Sequence, residues 1–246
     1  MKATEFEFRY RMWLIVVLIV LGFWSPGIQL LGTEASTIAW LWLSHQVGTL
    51  VNNPILGFVI VNWTAIALAA IGWALRLWGT AFLGAGTVFS RAMKAGSVMA
   101  NGPYRYVRNP LYIGSWFMVA PISMLMPTVS AAIVLILLAF FEVRLILGEE
   151  AFLTAKLGEP YSAYLNAVPR LFPLLRSPVR SSGQAPRWGH ALLAEIMPLG
   201  VLVSFAALSW QYNADYLGRA LLVSFGLSLV IRALIAPNAS GPLPSA

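Results

Sequence analysis

The chain has 246 residues, of which 59% are apolar and only 10% charged, with a mean hydropathy of +0.76. A soluble domain of this size carries roughly 25% charged residues, so there is too little polar surface here to face water on all sides. There are no cysteines and two histidines, His45 and His190, which excludes disulfides, thiolate metal sites and catalytic thiols and argues against a histidine metal centre. The net charge of +7 then reads as membrane orientation and contact with anionic headgroups rather than nucleic-acid binding.

A helix needs about 20 residues to cross the hydrocarbon core. The first expected span lies near 12–31 and is interrupted by Pro26-Gly27; Trp24-Ser25-Pro26-Gly27 does not resemble a signal cleavage site. Residues 37–51 read as an interfacial or re-entrant segment rather than a span. A second span is expected over 54–80. Residues 110–141 contain no charge, and Pro121 and Pro127 divide them into a hairpin of two spans, 110–126 and 128–147. Two more are expected over 191–210 and 217–235, with Glu195, Arg219 and Arg232 near their ends, where long side chains reach the interface. The fold class expected is an all-α, polytopic transmembrane helix bundle of about six spans.

Charge asymmetry orients it. The segments 1–11, 81–109 and 148–190 hold twelve Lys and Arg residues, and the opposite connections hold none. By the positive-inside rule both termini and the long polar connections lie in the cytoplasm. At about 29 and 43 residues, those connections far exceed what joining two helices requires, so any chemistry is expected there. Ser177–Pro186 reads as an exposed linker and the stretch from Pro237 as a frayed tail.

Four groups of residues there carry chemistry. Glu142, Glu149 and Glu150 follow a long stretch without acidic residues. Seven residues bring Glu149 back to the face of Glu142, while Glu150 lies about 100° round; the group is an acidic lip at the mouth of the bundle or a solvated helix end with a snorkelling Arg144. Asn101–Gly114 holds two turn signals, Gly102-Pro103 and Asn109-Pro110, with tyrosines and arginines between them. These suit a carboxylate or phosphate and a flat ring, or form an interfacial aromatic-basic belt. In Gly158–Arg170 a short helix places Tyr161 and Tyr164 on one face, as an interfacial helix or a ligand lid. Gly84-Ala85-Gly86 either ends a helix or admits close approach to a ligand.

Taken in order, these segments resemble the membrane methyltransferases of the isoprenylcysteine carboxyl methyltransferase and phospholipid methyltransferase group. The matches are Gly84 and Gly86, Gly102-Pro103-Tyr104, Arg108-Asn109-Pro110 with Tyr112 and Gly114, Glu149-Glu150 with Leu153, Gly158, Tyr161, Tyr164 and Val168-Pro169-Arg170. Asn109 stands where the group usually has histidine, so it keeps hydrogen-bonding capacity but cannot titrate near neutral pH.

The resemblance implies S-adenosylmethionine as cofactor, held by Gly84, Gly86, Tyr104, Arg108, Asn109, Pro110, Tyr112, Gly114, Glu149, Glu150, Tyr161 and Tyr164. It implies methyl transfer to a hydrophobic or prenylated acceptor, with isoprenylcysteine carboxylate-type O-methylation ahead of phospholipid N-methylation. Arg170 or Arg144 would orient the acceptor, and Glu150 could act on a proton. It also divides the chain into an N-terminal transmembrane region (1–74), a methyltransferase core (75–172), and a linker with a C-terminal transmembrane hairpin (173–246). A membrane reductase using NADPH is disfavoured by the paired glutamates, since a 2′-phosphate prefers positive neighbours. A transporter or scaffold would need polar residues along several spans.

Overall fold

A computed structural model describes residues 2–24, 37–84, 87, 98, 100–181, 183–211 and 213–235. Gly86, the Pro26-Gly27 break in the first expected span and the tail from Pro237 lie outside the described residues. Among those described there are nine α-helices and no strands, so the architecture is an all-α membrane-type bundle.

Helix α1 (Glu5–Phe23) starts with a capping box: the Thr4 hydroxyl accepts from the Glu7 amide, and the Thr4 amide donates to the Glu7 carboxylate at 2.7 Å. Helix α2 (Ala39–Leu50) is a 12-residue helix, short of a span as expected, and it returns through a tight turn into α3 (Pro54–Leu83). Asn53 caps α3 through the Leu56 amide, and Pro54 occupies its first turn, where a missing N–H costs nothing. Buried Trp40 donates to Asn62 at 2.9 Å, tying α2 to α3 in the apolar core.

Helix α4 (Pro110–Ser123) stops three residues before the expected limit. Beyond it the chain tightens into i→i+3 bonds, Leu125 to Ile122 and Met126 to Ser123. Helix α5 (Thr128–Leu157) runs ten residues past its expected end. Thirty residues span about 45 Å, against a hydrocarbon core of about 30 Å, so its last turns project beyond the apolar layer. Helix α6 (Glu159–Ala167) follows at Gly158, whose φ of 62° suits a residue without Cβ.

The span expected over 191–210 is broken. It forms α7 (Trp188–Ala194) and α8 (Ile196–Leu208), bent by 68° at Glu195. Pro198 explains the weakness there: it has no N–H for the carbonyl of Ala194. Helix α9 (Ala214–Ile235) begins at Asn213, whose side chain accepts from the amides of Asp215 and Tyr216.

Among the described residues α3, α5 and α9 are long and apolar enough to cross a membrane, and the bent α7–α8 pair makes four if counted as one span. The expected count of about six included two segments outside this set: α1 carries Glu5, Glu7, Arg9 and Arg11 in its first two turns, and α4 is only 14 residues long. The core is built from inward faces of α2, α3, α4, α5, α8 and α9, with Ala69, Met126, Leu138, Val201 and Leu217 fully buried.

Helices α3 and α4 cross at glycines. A Cβ on Gly72 would stand 2.9 Å from the Gly114 carbonyl, and one on Gly114 would stand 2.6 Å from Cγ of Arg76 and 3.0 Å from the Gly72 carbonyl. Only glycine lets the backbones approach this closely, and the crossing sets Arg76 beside Leu111 and Ser115.

Candidate active site

The two polar connections fold against each other. Residues Gly102–Arg105 form a 3₁₀ turn that buries Tyr104. Four hydrogen bonds pin this turn and its continuation to the segment 164–170. Tyr164 donates its hydroxyl to the Tyr104 carbonyl at 2.8 Å, and the Arg108 amide donates to the Pro169 carbonyl at 2.9 Å. Asn109 donates its side-chain amide to the Arg170 carbonyl at 3.1 Å, and an Arg108 guanidinium N–H reaches the Leu165 carbonyl at 3.2 Å. Asn109 thus serves as a turn-holding donor, a role that requires no titration.

Beside this junction lies a cavity of about 120 Å³. Its walls are Phe8, Arg11, Met12 and Ile15 of α1, Arg76 and Leu83 of α3, the turn residues Tyr104, Arg108 and Asn109, the first turns of α4 through Ser115, and Glu142, Leu145 and Glu149 of α5; Thr87 completes the lining. Tyr112 of α4 donates its hydroxyl to the Glu149 carboxylate at 3.1 Å. Five buried side-chain polar atoms among the described residues have no hydrogen-bond partner, and three of them belong to lining residues: Tyr104 Oη, Arg108 Nε and Glu142 Oε1. Buried polar atoms are normally satisfied. Arg108 Nε has an ion-pair contact with Glu150 at 3.4 Å behind the wall, so Tyr104 Oη and Glu142 Oε1 are the atoms through which a ligand in the cavity could complete the hydrogen bonding.

The sequence-expected residues separate into two groups. Tyr104, Arg108, Asn109, Pro110, Tyr112 and Glu149 line the cavity. Gly84 ends α3 with φ 88°, next to the lining residue Leu83. The other described ones stand behind the wall. Glu150 is buried and bound to Arg170 at 2.7 Å, with Arg108 Nε at 3.4 Å. Tyr161 and Tyr164 pack with Val168 in a separate apolar cluster. Gly114 serves the helix crossing, and Arg144 is bound to Glu7 of α1 at 2.8 Å.

The electrostatics follow this division. Burial, with the charges of nearby glutamates adding to it, pushes the hydroxyls of Tyr161 and Tyr104 well above the usual phenol range. Burial first, then Tyr161, does the same for Tyr164. All three remain neutral donors at any physiological pH. The hydrogen bonds that Arg170 donates to Glu150 hold its guanidinium more firmly protonated.

Sequence reasoning missed Arg76 and Glu195. Arg76 grips Glu195 with Nε at 2.7 Å and Nη2 at 3.1 Å, and it also donates to Ser115 Oγ at 2.6 Å. Glu195 is fully buried and accepts in addition from the Thr80 hydroxyl at 2.6 Å, so it does not reach an interface as expected. The available signal was a lone arginine closing a long uncharged run, since ionisable groups at membrane depth are costly unless paired.

Residues 51–159 match the phospholipid methyltransferase family. Over 125 residues the chain is 30% identical to protein-S-isoprenylcysteine O-methyltransferase of Schizosaccharomyces pombe, a segment covering 48% of this chain and 52% of that protein. The chain therefore spans about half the length of this curated relative. No solved structure matches. The matched stretch carries the α3–α4 crossing, the Arg-Asn-Pro turn and the Tyr112–Glu149 pair, and over it the chain is similar to the phospholipid methyltransferase family and to this isoprenylcysteine O-methyltransferase.

Proposed function

We propose that this protein is an integral membrane methyltransferase that uses S-adenosylmethionine and methylates a lipid-like acceptor. Isoprenylcysteine carboxylate-type O-methylation ranks ahead of phospholipid N-methylation. The observation that carries the reading is the convergence of unpartnered buried polar atoms on the one cavity where the motif-bearing turn, α4 and α5 meet. The relative's name supports an acceptor of the isoprenylcysteine class.

The residue types fit the cofactor. Glu142 and Glu149 offer acceptors to a cation and to hydroxyls, Tyr104 and Phe8 offer aromatic walls, and arginines of the lining offer donors to a carboxylate. The enclosed 120 Å³ is smaller than the 300–1,000 Å³ of sites for whole drug-sized ligands, so it would take one arm of the cofactor. When bound, the cofactor supplies a methyl carbon made electrophilic by its sulfonium, and it leaves as a neutral thioether.

The chain's own task is to position the two reactants and keep the pocket walls dry, since holding them in line accounts for much of the acceleration in such a transfer. Arg170 and Arg144 are engaged by Glu150 and Glu7 outside the lining. In this reading orientation of an acceptor carboxylate therefore passes to Arg11, which lines the cavity. On the same reading, residues 75–172 form the methyltransferase core, flanked by the regions 1–74 and 173–246, with both termini and the cofactor mouth on the cytoplasmic side, an orientation the charge distribution supports.

The test is to incubate the purified protein with cofactor labelled in its methyl group and total membrane lipids, then identify the labelled product. A base-labile methyl ester on a prenylated thioether is expected. Label in a phospholipid headgroup would select N-methylation, and absence of transfer to any lipid would end the reading.

A further inference from the structure

We propose that Glu142 is the residue by which the cavity distinguishes a cationic methyl donor from its neutral spent form; the inference rests on the S-adenosylmethionine reading above. Glu142 lies on the inward face of α5, is 5% exposed, lines the cavity, and has one carboxylate oxygen, Oε1, with no hydrogen-bond partner. A buried carboxylate without a donor is one of the costliest arrangements a core can hold. It is tolerated where a proton or a cationic ligand neutralises the group.

The charges around the cavity indicate the sign of that ligand. Arg76 is neutralised by Glu195 and Arg108 is paired with Glu150, and neither of these glutamates lines the cavity. Arg11 also lines it, with its guanidinium 4.1 Å from the Phe8 ring centroid and an N–H on the Phe8 carbonyl. Glu142 and Glu149 are the lining carboxylates, and neither has a salt bridge among the described residues. Glu149 has the Tyr112 hydroxyl as donor, whereas Glu142 Oε1 has none. Glu142 is thus the lining carboxylate whose satisfaction depends on a group that the chain does not supply. Donor and product both carry an ammonium, but only the donor carries a sulfonium, so a contact made at the sulfur draws in the donor and offers nothing to the thioether.

Equilibrium binding on the full chain in phosphatidylcholine nanodiscs tests this, using S-adenosylmethionine and S-adenosylhomocysteine in parallel. For Glu142→Gln, which keeps the shape and removes the charge, the affinity for the sulfonium should fall about tenfold, as loss of a hydrogen bond to a charged group implies. The affinity for the thioether should stay within about twofold on the same grounds. A thermal unfolding scan of the ligand-free variant confirms that it folds.

A second measurement needs no variant: the unaltered protein should bind an analogue with a protonated amine in place of the sulfonium more tightly than the thioether. Equal weakening of both ligands, or weakening of neither, would overturn the role of Glu142 while leaving the cofactor reading intact. If the unaltered protein binds neither ligand, the cofactor reading fails, and the inference fails with it.

Discussion

Adjacent glutamates do different work here. On α5 a seven-residue step keeps Glu149 on the cavity face with Glu142, while the next residue turns Glu150 away into a buried contact with Arg108 and Arg170. Glu149→Gln should weaken cofactor binding about tenfold with little change in stability, and Glu150→Ala should chiefly destabilise, by about 3–5 kcal/mol, because it strands two arginines, one of them buried. Calorimetric titration and thermal unfolding of the two variants separate these outcomes. Asn109→His should retain activity, since an imidazole N–H can also reach the Arg170 carbonyl; a methyl-transfer assay on the variant checks it. The periodicity of a helix made the Glu142–Glu149 face legible from sequence. The orphaned oxygen of Glu142 was not, because it depends on what every neighbouring helix fails to offer.

Helices were legible where an apolar run and a cap agreed, as in α3, which opens on Asn53-Pro54 and ends at Gly84. They were less so where a tertiary contact decides. The expected span runs across the α7–α8 break although Glu195 and Pro198 interrupt it; Pro198 weakens the helix there, and the burial of Glu195 makes sense only beside Arg76. The α3–α4 crossing is equally local and sharp. Gly114→Ala should cost about 1–3 kcal/mol, the range for overpacking a close contact, because a new methyl meets both Arg76 and the Gly72 backbone; the midpoint of thermal unfolding in detergent measures it.

Helix α1 is held differently, by Glu7 and Arg144 and by the Ala3 amide on the Arg144 carbonyl. The Arg144 hydrogen bond holds the Glu7 carboxyl below the ordinary glutamate range. A carboxylate with a lowered folded pKa contributes its stabilisation above its unfolded pKa and loses it as pH falls through the folded value. Protection factors of the α1 amides, which correct for the slower intrinsic exchange in acid, should therefore be high at neutral pH and fall once the medium is acidified below the usual range for glutamate.

At the scale of the whole molecule, parts on both sides of the matched stretch 51–159 help to build its cavity, one as a wall and one from behind. Phe8, Arg11, Met12 and Ile15 form one wall, and Glu195 holds Arg76 in another. Glu195→Ala should destabilise by about 3–5 kcal/mol, as breaking a buried pair does, whereas Arg76→Met with Glu195→Met should recover much of the loss; thermal unfolding of the single and double variants checks both. The general plan of a helical bundle with long polar connections was readable from apolar runs and the distribution of cations. A contact between residues 119 positions apart was not, because neither partner has a local pattern that points to the other.

That separation also has a bearing on biosynthesis. Arg76 leaves the ribosome within the first third of the chain, and its counter-ion follows more than a hundred residues later. Until then a lone guanidinium sits in a nascent helix entering lipid, sheltered by water or by the insertion machinery. Completion of the C-terminal helices is what seals it. Prematurely terminated chains would keep that charge uncovered, and quality control could recognise them by it.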